Sequence, residues 1–268
     1  MPELPEVETI VRDLTKHLPG LAFSQVIVHD PFVLRQKSAE FIRRLNGKSI
    51  VKIHRRGKAI IIYLSSGEFL IVQLMMTGQL VYNGIKEKHA RISFVLSDGS
   101  KLLYNDQRKF GQLRVIKDLK EVPYFHILGP EPFSEDFTPE FMGKIFRGAK
   151  RPIKNALLDH RFVAGIGNIY ACEILFFSKV SPKRQVGRLT KAEITLIRDV
   201  TRDILNQAIA HRGSSMRNYR DAAGEKGKFT QRLTVYGREG LSCPTCDQSI
   251  IRIVQAGRST FYCGHCQK

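Results

Sequence analysis

Four cysteines near the end of the chain constrain its fold more than any other feature. They form two Cys-x-x-Cys pairs separated by 16 residues, and the fifth cysteine, Cys172, lies apart in an apolar helical pattern typical of a small core residue. Such spacing is typical of a tetrahedral zinc site in which two short loops each supply two thiolates. Metal binding would supply the folding free energy that so short a segment cannot obtain from its own core. The predicted ligands of one structural Zn²⁺ are Cys243, Cys246, Cys263 and Cys266.

The charge of the chain predicts a polyanionic partner. Lys and Arg number 43 against 25 Asp and Glu, a formal net charge of +18 in 268 residues. This excess favours DNA or RNA, with anionic lipid as a weaker alternative. A hydrophobic content of 43% excludes a disordered chain, and no run approaches the roughly 20 apolar residues of a membrane span. The acidic, proline-containing start is not a signal peptide, so we expect a cytoplasmic protein.

The hydrophobic pattern changes from strands to helices along the chain. A helical pattern over residues 5–18 precedes short strands between Phe23 and Ile116, with antiparallel hairpins over residues 60–72 and 92–104. Prolines and glycines then mark a linker, and helical patterns follow, one of them opened by the capping box Thr190-Lys191-Ala192-Glu193. Strand signals return from Leu233. We therefore predict an α+β multidomain protein. Its predicted parts are an N-terminal antiparallel β-sandwich domain with flanking helices (2–122), a linker (123–139), a helical domain (140–232) and a zinc hairpin (233–268).

The start of the chain, Met1-Pro2-Glu3, is a candidate nucleophilic site. A small second residue permits removal of the initiator methionine, which leaves Pro2 with a secondary α-amine. An α-amine titrates at about 8, against about 10.4 for lysine, so more of it is neutral and nucleophilic at working pH. Its attack on an aldehyde-level carbon gives an iminium, which is an electron sink. Glu3 and Glu6 are placed to act as acid/base and charge stabiliser, although most termini of this kind are inert.

Two further features suit phosphate binding. Arg258 lies between the cysteine pairs, so a zinc-held hairpin would present it at its tip. The turn Gly165-Ile166-Gly167 precedes Asn168 at the start of a helix, and the backbone amides of a helix N-terminus suit a phosphate. The same turn is equally compatible with an ordinary helical hairpin.

Together these segments resemble the formamidopyrimidine-DNA glycosylase family, and the resemblance covers essentially the whole chain. Leu4 favours this branch over the related endonuclease VIII branch, which usually has glycine at that place. The matching motifs, in chain order, are Pro2–Thr9, Arg56–Lys58, Met76–Gly78, Arg108–Gly111, Gly165–Tyr170, Tyr236–Gly240, Gly257-Arg258 and the zinc cysteines.

The resemblance implies a bifunctional enzyme of base-excision repair. Such a glycosylase and abasic-site lyase removes 8-oxoguanine and formamidopyrimidines from damaged double-stranded DNA after flipping the nucleotide out of the duplex. The Pro2 nitrogen would attack C1′ and form a Schiff base, followed by β,δ-elimination. The resemblance assigns catalysis to the N-terminal domain and a helix-two-turn-helix to the helical one. It implies a monomeric bacterial enzyme, associated with the nucleoid during repair and without redox or nucleotide cofactor. The implied catalytic residues are Pro2, Glu3, Glu6 and Lys58.

The resemblance also assigns residues to DNA. Met76, with Met75 as the alternative, would fill the space left by the flipped nucleotide together with Arg108 and Phe110. Arg108 would bond the orphaned cytosine. A loop would cover the everted base. The remaining implied DNA contacts are Gln73, Lys154, Gly167, Asn168, Tyr236 and Arg258, and the implied loop residues are Ser214, Ser215, Asn218 and Tyr219.

Departures from the family pattern bear on substrate range more than on reaction type. The departures are Gln73 for histidine, Met75 for glycine, Gln107 for proline, His160 for glutamine, and Arg212-Gly213-Ser214-Ser215 for a Gly-Gly-Thr-Thr type of loop.

Two rival hypotheses remain. The first is specificity for oxidised pyrimidines, against which Leu4 and the Arg108/Phe110 pair argue. The second is a catalytically silent DNA-binding protein, against which the Pro2-Glu3 start argues.

Overall fold

The structure, a computed structural model, describes residues 1–84, 88–216 and 219–268. It divides into two compact units. The N-terminal unit comprises residues 1–126 and 209–230, and the C-terminal unit comprises residues 127–208 and 231–268. Among the described helices, none combines the length and the apolar composition needed to cross a bilayer.

The N-terminal unit contains two antiparallel four-stranded sheets. One has the strand order β1-β6-β7-β5 and the other β2-β3-β4-β8. Helix α1 (Leu4–Thr15) precedes the strands, α2 (Ser38–Leu45) follows β1, and α3 (Pro123–His126) follows β8. The strands are β1 (Phe23–Val28), β2 (Ile50–Arg56), β3 (Ala59–Leu64), β4 (Phe69–Gln73), β5 (Gly78–Tyr82), β6 (Ala90–Leu96), β7 (Lys101–Asp106) and β8 (Gln112–Ile116).

A single hydrophobic core unites α1 with both sheets. Along α1, Val7, Ile10 and Leu14 recur at helical spacing and are fully buried, which fixes the face that the helix presents to the strands. Phe94 on β6 lies deep in this core, with its ring 5.4 Å from that of Phe23. The amino end of α1 is thereby held against the sandwich.

The C-terminal unit consists of helices followed by a hairpin. Residues 169–176 of α6 are all buried, so this helix forms the centre of the unit. The predicted capping box opens α7: the Thr190 N–H donates to Glu193 Oε2 (2.7 Å) and the Glu193 N–H to Thr190 Oγ1 (3.2 Å). The elements are α4 (Pro139–Phe146), α5 (Ile153–Leu157), α6 (Asn168–Phe177), α7 (Lys191–Ala210, whose last two residues belong to the N-terminal unit), β9 (Ile250–Gln255) and β10 (Arg258–Cys263).

The predicted fold class is confirmed, with both predicted hairpins present as β3–β4 and β6–β7. Two element boundaries in the structure differ from those that the sequence predicts. The linker predicted over residues 123–139 contains α3 and the first residue of α4, since proline is favourable in the first turn of a helix. Strands were expected from Leu233, but they begin at Ile250. Residues 209–230, which the sequence grouped with the helical segment, pack with the N-terminal unit.

The packing of Phe94 against Phe23 in the core predicts that truncating Phe94 strongly destabilises the protein. Replacing fully buried Phe94 by alanine should lower the free energy of unfolding by about 3–5 kcal/mol, because the lost packing leaves a cavity. The matched control is Phe32→Ala, since the Phe32 side chain is 65% exposed and should contribute at most about 0.5 kcal/mol. Urea denaturation of both variants measures the difference, and equal effects would contradict this packing.

Candidate functional site

The start of α1 is buried around two glutamates. Pro2 and Glu3 are both buried, and Glu3 is the N-cap of the helix. The Glu3 N–H donates to Glu6 Oε2 at 2.7 Å, so the Glu6 carboxylate satisfies a backbone donor that α1 itself leaves unpaired. The backbone that carries Pro2 is therefore held in place one residue before the helix begins.

The second oxygen of Glu6 binds the loop predicted to cover a lesion. Glu6 Oε1 accepts the Ser214 N–H at 2.7 Å and the Ser214 hydroxyl at 3.2 Å. Gly213 adopts φ +77°, and a Cβ there would lie 2.7 Å from Glu6 Oε1, so both backbone conformation and space call for glycine. The structure thus brings a predicted catalytic glutamate and the predicted loop together.

Further contacts tie the same loop to α1. The buried Tyr219 hydroxyl donates to the Glu6 carbonyl at 3.3 Å, and the Ser215 hydroxyl donates to the Tyr219 carbonyl at 3.0 Å. Burial and the nearby Glu6 charge raise the pKa of Tyr219, which keeps the phenol protonated as a donor. Arg212 pairs with Asp13 of α1, a contact that sequence patterns did not identify. Asn218 lies outside the described residues.

Lys58 lies in the tight turn between β2 and β3. Its backbone N–H donates to the Tyr124 hydroxyl at 3.0 Å. Arg55, three residues before Lys58 on β2, is buried. It donates to the Gly57 carbonyl at 3.0 Å and pairs with Glu8 of α1 at 2.9 Å. Burial acts to raise the pKa of Glu8, but hydrogen bonds from Arg12 and Arg55 outweigh it and lower that pKa. Arg55 and Glu8, which sequence reasoning missed, connect the Lys58 turn to the helix that follows Pro2.

Met76, Arg108 and Phe110 form one exposed cluster. Met76 is 43% and Phe110 46% exposed, which is high for large apolar side chains. The Arg108 guanidinium lies 4.7 Å from the centre of the Phe110 ring and donates to Met76 Sδ at 3.2 Å. This contact favours Met76 over Met75, which adopts φ +52° beside it. Gln73 lies at the end of β4, paired with Gln112.

Predicted phosphate contacts of the C-terminal unit meet where α6 approaches the hairpin. Asn168 begins α6 after its N-cap, Gly167, and its side-chain amide donates to the Ser259 carbonyl at 2.9 Å. Lys154 is fully buried, and its ammonium donates to Asn168 Oδ1 at 2.7 Å. The exposed Arg258 follows the hairpin turn. Burial places Lys154 behind Asn168 rather than on the surface, which its sequence position did not indicate.

Tyr236 is placed by a buried carboxylate. Glu173 on α6 accepts the Tyr236 and Val235 N–H groups, at 2.9 and 3.0 Å. Burial raises the pKa of Glu173, and the backbone donors oppose that shift. The Tyr236 ring packs edge-on against Phe261 of β10, with ring centres 5.0 Å apart. The segment preceding the zinc cysteines is thereby anchored to α6.

The four predicted zinc ligands converge. Their sulfur atoms all lie within 4.8 Å of one another. The Cys246 and Cys263 sulfurs are 3.4 Å apart, and those of Cys243 and Cys266 are 3.9 Å apart. A tetrahedral zinc with bonds of about 2.3 Å places its sulfur ligands about 3.8 Å apart. The donor set therefore fits one structural Zn²⁺, and four thiolates leave no coordination position for substrate.

Comparisons with known proteins agree along the chain. The model of the formamidopyrimidine-DNA glycosylase N-terminal domain matches residues 1–113, and that of the H2TH domain of the same enzymes matches residues 128–220. The model of a zinc finger found in FPG and IleRS matches residues 240–268. The three matches follow one another along the chain without overlap.

Curated and solved relatives cover nearly the full length. Formamidopyrimidine-DNA glycosylases from Carboxydothermus hydrogenoformans and Desulforamulus reducens are 43% and 40% identical, covering 100% of this chain and 100% and 99% of those proteins. Thermus thermophilus MutM (FPG) superimposes with a TM-score of 0.90 at 38% identity, covering 99% of this chain and 98% of the other. A Lactococcus lactis FPG mutant in complex with Fapy-dG containing DNA gives 0.93 at 36% identity, with full coverage of both chains. The chain therefore belongs to the formamidopyrimidine-DNA glycosylase family.

Proposed function

We propose that this protein is a bifunctional DNA glycosylase and abasic-site lyase that removes 8-oxoguanine and formamidopyrimidines from duplex DNA. The observation that carries the proposal is the buried Pro2-Glu3 start, joined through Glu6 to the Ser214 loop. The relative bound to Fapy-dG containing DNA and a MutM relative in complex with carbocyclic 8-oxo-G containing DNA support the substrate class.

The proposed chemistry begins after removal of Met1. The Pro2 nitrogen bonds to C1′ as the bond from C1′ to the damaged base breaks, and the departing base takes up the proton that this nitrogen loses. Glu3 then donates a proton to the ring oxygen O4′, which opens the sugar to an iminium. The resulting Glu3 carboxylate takes a C2′ proton as the 3′ phosphate leaves, and loss of a C4′ proton to solvent expels the 5′ phosphate. Water finally hydrolyses the iminium and frees Pro2.

Glu6 and Lys58 support this chemistry in different ways. Glu6 positions the Glu3 backbone with one oxygen and the Ser214 backbone with the other, so the nucleophile and the covering loop share one support. Ser215, Asn218 and Tyr219 complete that loop. Lys58 contacts the phosphate beside the lesion from its turn after β2, and its positive charge stabilises the phosphate leaving group.

The DNA contacts fall into two groups. Met76, Arg108 and Phe110 occupy the space vacated by the flipped nucleotide, which offsets an unstacking cost of a few kcal/mol. Surface groups contact the phosphates, so the affinity for DNA falls steeply with salt concentration. Lys154 acts through Asn168, because its ammonium is buried. The proposed phosphate contacts are Gln73, Gly167, Asn168, Tyr236 and Arg258, with Lys154 behind them.

The cellular setting follows from the substrate. The curated relatives named above are bacterial proteins. We propose a monomer that acts in the bacterial cytoplasm and associates with the nucleoid while repair proceeds, because its substrate is chromosomal DNA.

Borohydride trapping tests the proposed reaction. Mature protein incubated with an 8-oxoguanine·cytosine duplex and borohydride should form a covalent adduct, because reduction fixes the iminium. Peptide mass spectrometry should place the sugar on Pro2. Protein that retains Met1 is the matched control and should bind the duplex without forming the adduct. A sugar on a lysine side chain would contradict the mechanism.

Zinc removal should weaken DNA binding before it affects the N-terminal unit. Cys263→Ser should lose the one zinc per chain, because a structural site needs all four thiolates, and the Arg258 hairpin should then lose its shape. Cys172→Ala is the control, since Cys172 is not among the converging thiolates. Metal content and fluorescence-anisotropy titration with duplex DNA measure the two effects. Unchanged affinity in zinc-free protein would refute the role of the hairpin.

A further inference from the structure

Asp106, the last residue of β7, is fully buried and accepts hydrogen bonds through both carboxylate oxygens. Oδ1 accepts the Thr77 hydroxyl and also the Arg108 N–H at 3.2 Å. Oδ2 accepts the Gly111 N–H at 2.8 Å and the Tyr104 hydroxyl at 3.3 Å. Four donors therefore compensate the cost of burying this carboxylate.

These bonds join the two loops that carry the exposed cluster. Gly78, the first residue of β5, pairs with Asp106, so the end of the β4–β5 loop with Met76 lies beside the start of the β7–β8 loop with Arg108. Thr77 completes the connection, because its hydroxyl donates to Asp106 and accepts the Arg108 N–H at 3.0 Å. Met76, Arg108 and Phe110 thus project from loops that share one buried support.

The loop after Asp106 has little freedom to move. A Cβ on residue 111 would lie 1.6 Å from the Tyr104 hydroxyl, so only glycine fits at this position. Lys109 adopts φ +58°, which is uncommon for a non-glycine residue, and its ammonium pairs with Asp30 at 2.8 Å. Arg91 donates to the Asp106 carbonyl at 2.8 Å. The backbone path from Asp106 to Gly111 is therefore specified at both ends.

A carboxylate satisfies this arrangement better than an amide. Each oxygen of Asp106 accepts one backbone N–H, from Arg108 or from Gly111. An asparagine of the same shape must turn its NH₂ group toward one of them, and a backbone N–H cannot reverse its direction as a hydroxyl can. If the NH₂ group faces Gly111, the Gly111 N–H loses its bond to residue 106. If it faces Arg108, the Arg108 N–H keeps only the Thr77 hydroxyl as acceptor, and two donors meet.

We propose that Asp106 is the positioning residue that orients Met76, Arg108 and Phe110 toward the duplex, and that it thereby sets selectivity for the base opposite the lesion. The inference rests on the proposed function, in which Arg108 bonds the orphaned base. Asp106 itself touches no DNA, because it is fully buried. Its effect on selectivity reaches the opposite base through Arg108 alone.

The test compares excision of 8-oxoguanine opposite cytosine and opposite adenine. Asp106→Asn should reduce kcat/KM on the cytosine duplex about tenfold or more and remove most of the preference for cytosine, since one good base contact contributes roughly that discrimination. Asp98→Asn is the matched control: it removes the same charge at the exposed β6–β7 turn and should retain the wild-type preference.

A double-mutant cycle separates positioning from general destabilisation. In an Arg108→Ala background, Asp106→Asn should leave the cytosine-to-adenine ratio unchanged, because the group through which it acts is gone. Thr77→Val should reproduce part of the loss, and Thr77→Ser should restore selectivity by keeping the bridging hydroxyl. If Asp106→Asn fails to fold in thermal melting, the Thr77 pair decides the question.

Trapping at a preformed abasic site distinguishes the two proposals. Asp106→Asn should still form the borohydride adduct there, since no base has to be excised. A wild-type protein that forms no adduct would overturn the proposed function. A wild-type protein that traps and prefers cytosine, with an Asp106→Asn variant of equal preference, would overturn the positioning role alone. Additive effects of Asp106→Asn and Arg108→Ala on selectivity would also overturn it.

Discussion

The backbone hydrogen bonds that the Glu6 carboxylate accepts from Glu3 and Ser214 are the interaction on which the candidate active site depends. One oxygen holds the backbone of Glu3 and the other holds that of Ser214, residues separated by most of the chain. A buried carboxylate is costly unless its oxygens are satisfied, so moving either segment away would cost Glu6 a hydrogen bond from a backbone N–H. The start of α1 and the loop after α7 are therefore fixed by the same group.

The same solution recurs at two other places. Asp106 collects backbone donors from the ends of two loops, and Glu173 collects those of the segment that precedes the zinc cysteines. In each case a buried carboxylate orders irregular backbone that lacks partners from helix or sheet. Rigid loops result without additional secondary structure, which suits side chains that must be presented at a defined angle.

Sequence reasoning identified what is encoded locally. The zinc ligands follow from the spacing of Cys243 to Cys266, and the hairpins and the α7 capping box follow from short patterns. Asp106, the Arg55–Glu8 pair and the burial of Lys154 depend on contacts between distant segments, which periodicity does not report. The packing of residues 209–230 with the N-terminal unit could not be predicted for the same reason: the polar composition of the segment suggests a loop, and its partners Asp13 and Glu6 lie about two hundred positions earlier. The roles assigned to individual site residues stay predictions.

The buried start of the chain also has a consequence for how the protein is prepared. Exposed Met1 precedes Pro2 while α1 and the Glu3–Glu6 hydrogen bond are in place, so a retained methionine is compatible with the folded chain. Under the proposed mechanism, incompletely processed material would be folded and metal-loaded but chemically inert, because its Pro2 nitrogen would be an amide, and it would copurify with the mature form. Specific activity would then report the fraction of correctly trimmed termini as much as the quality of the enzyme, and an affinity tag fused at this end would block the amine outright.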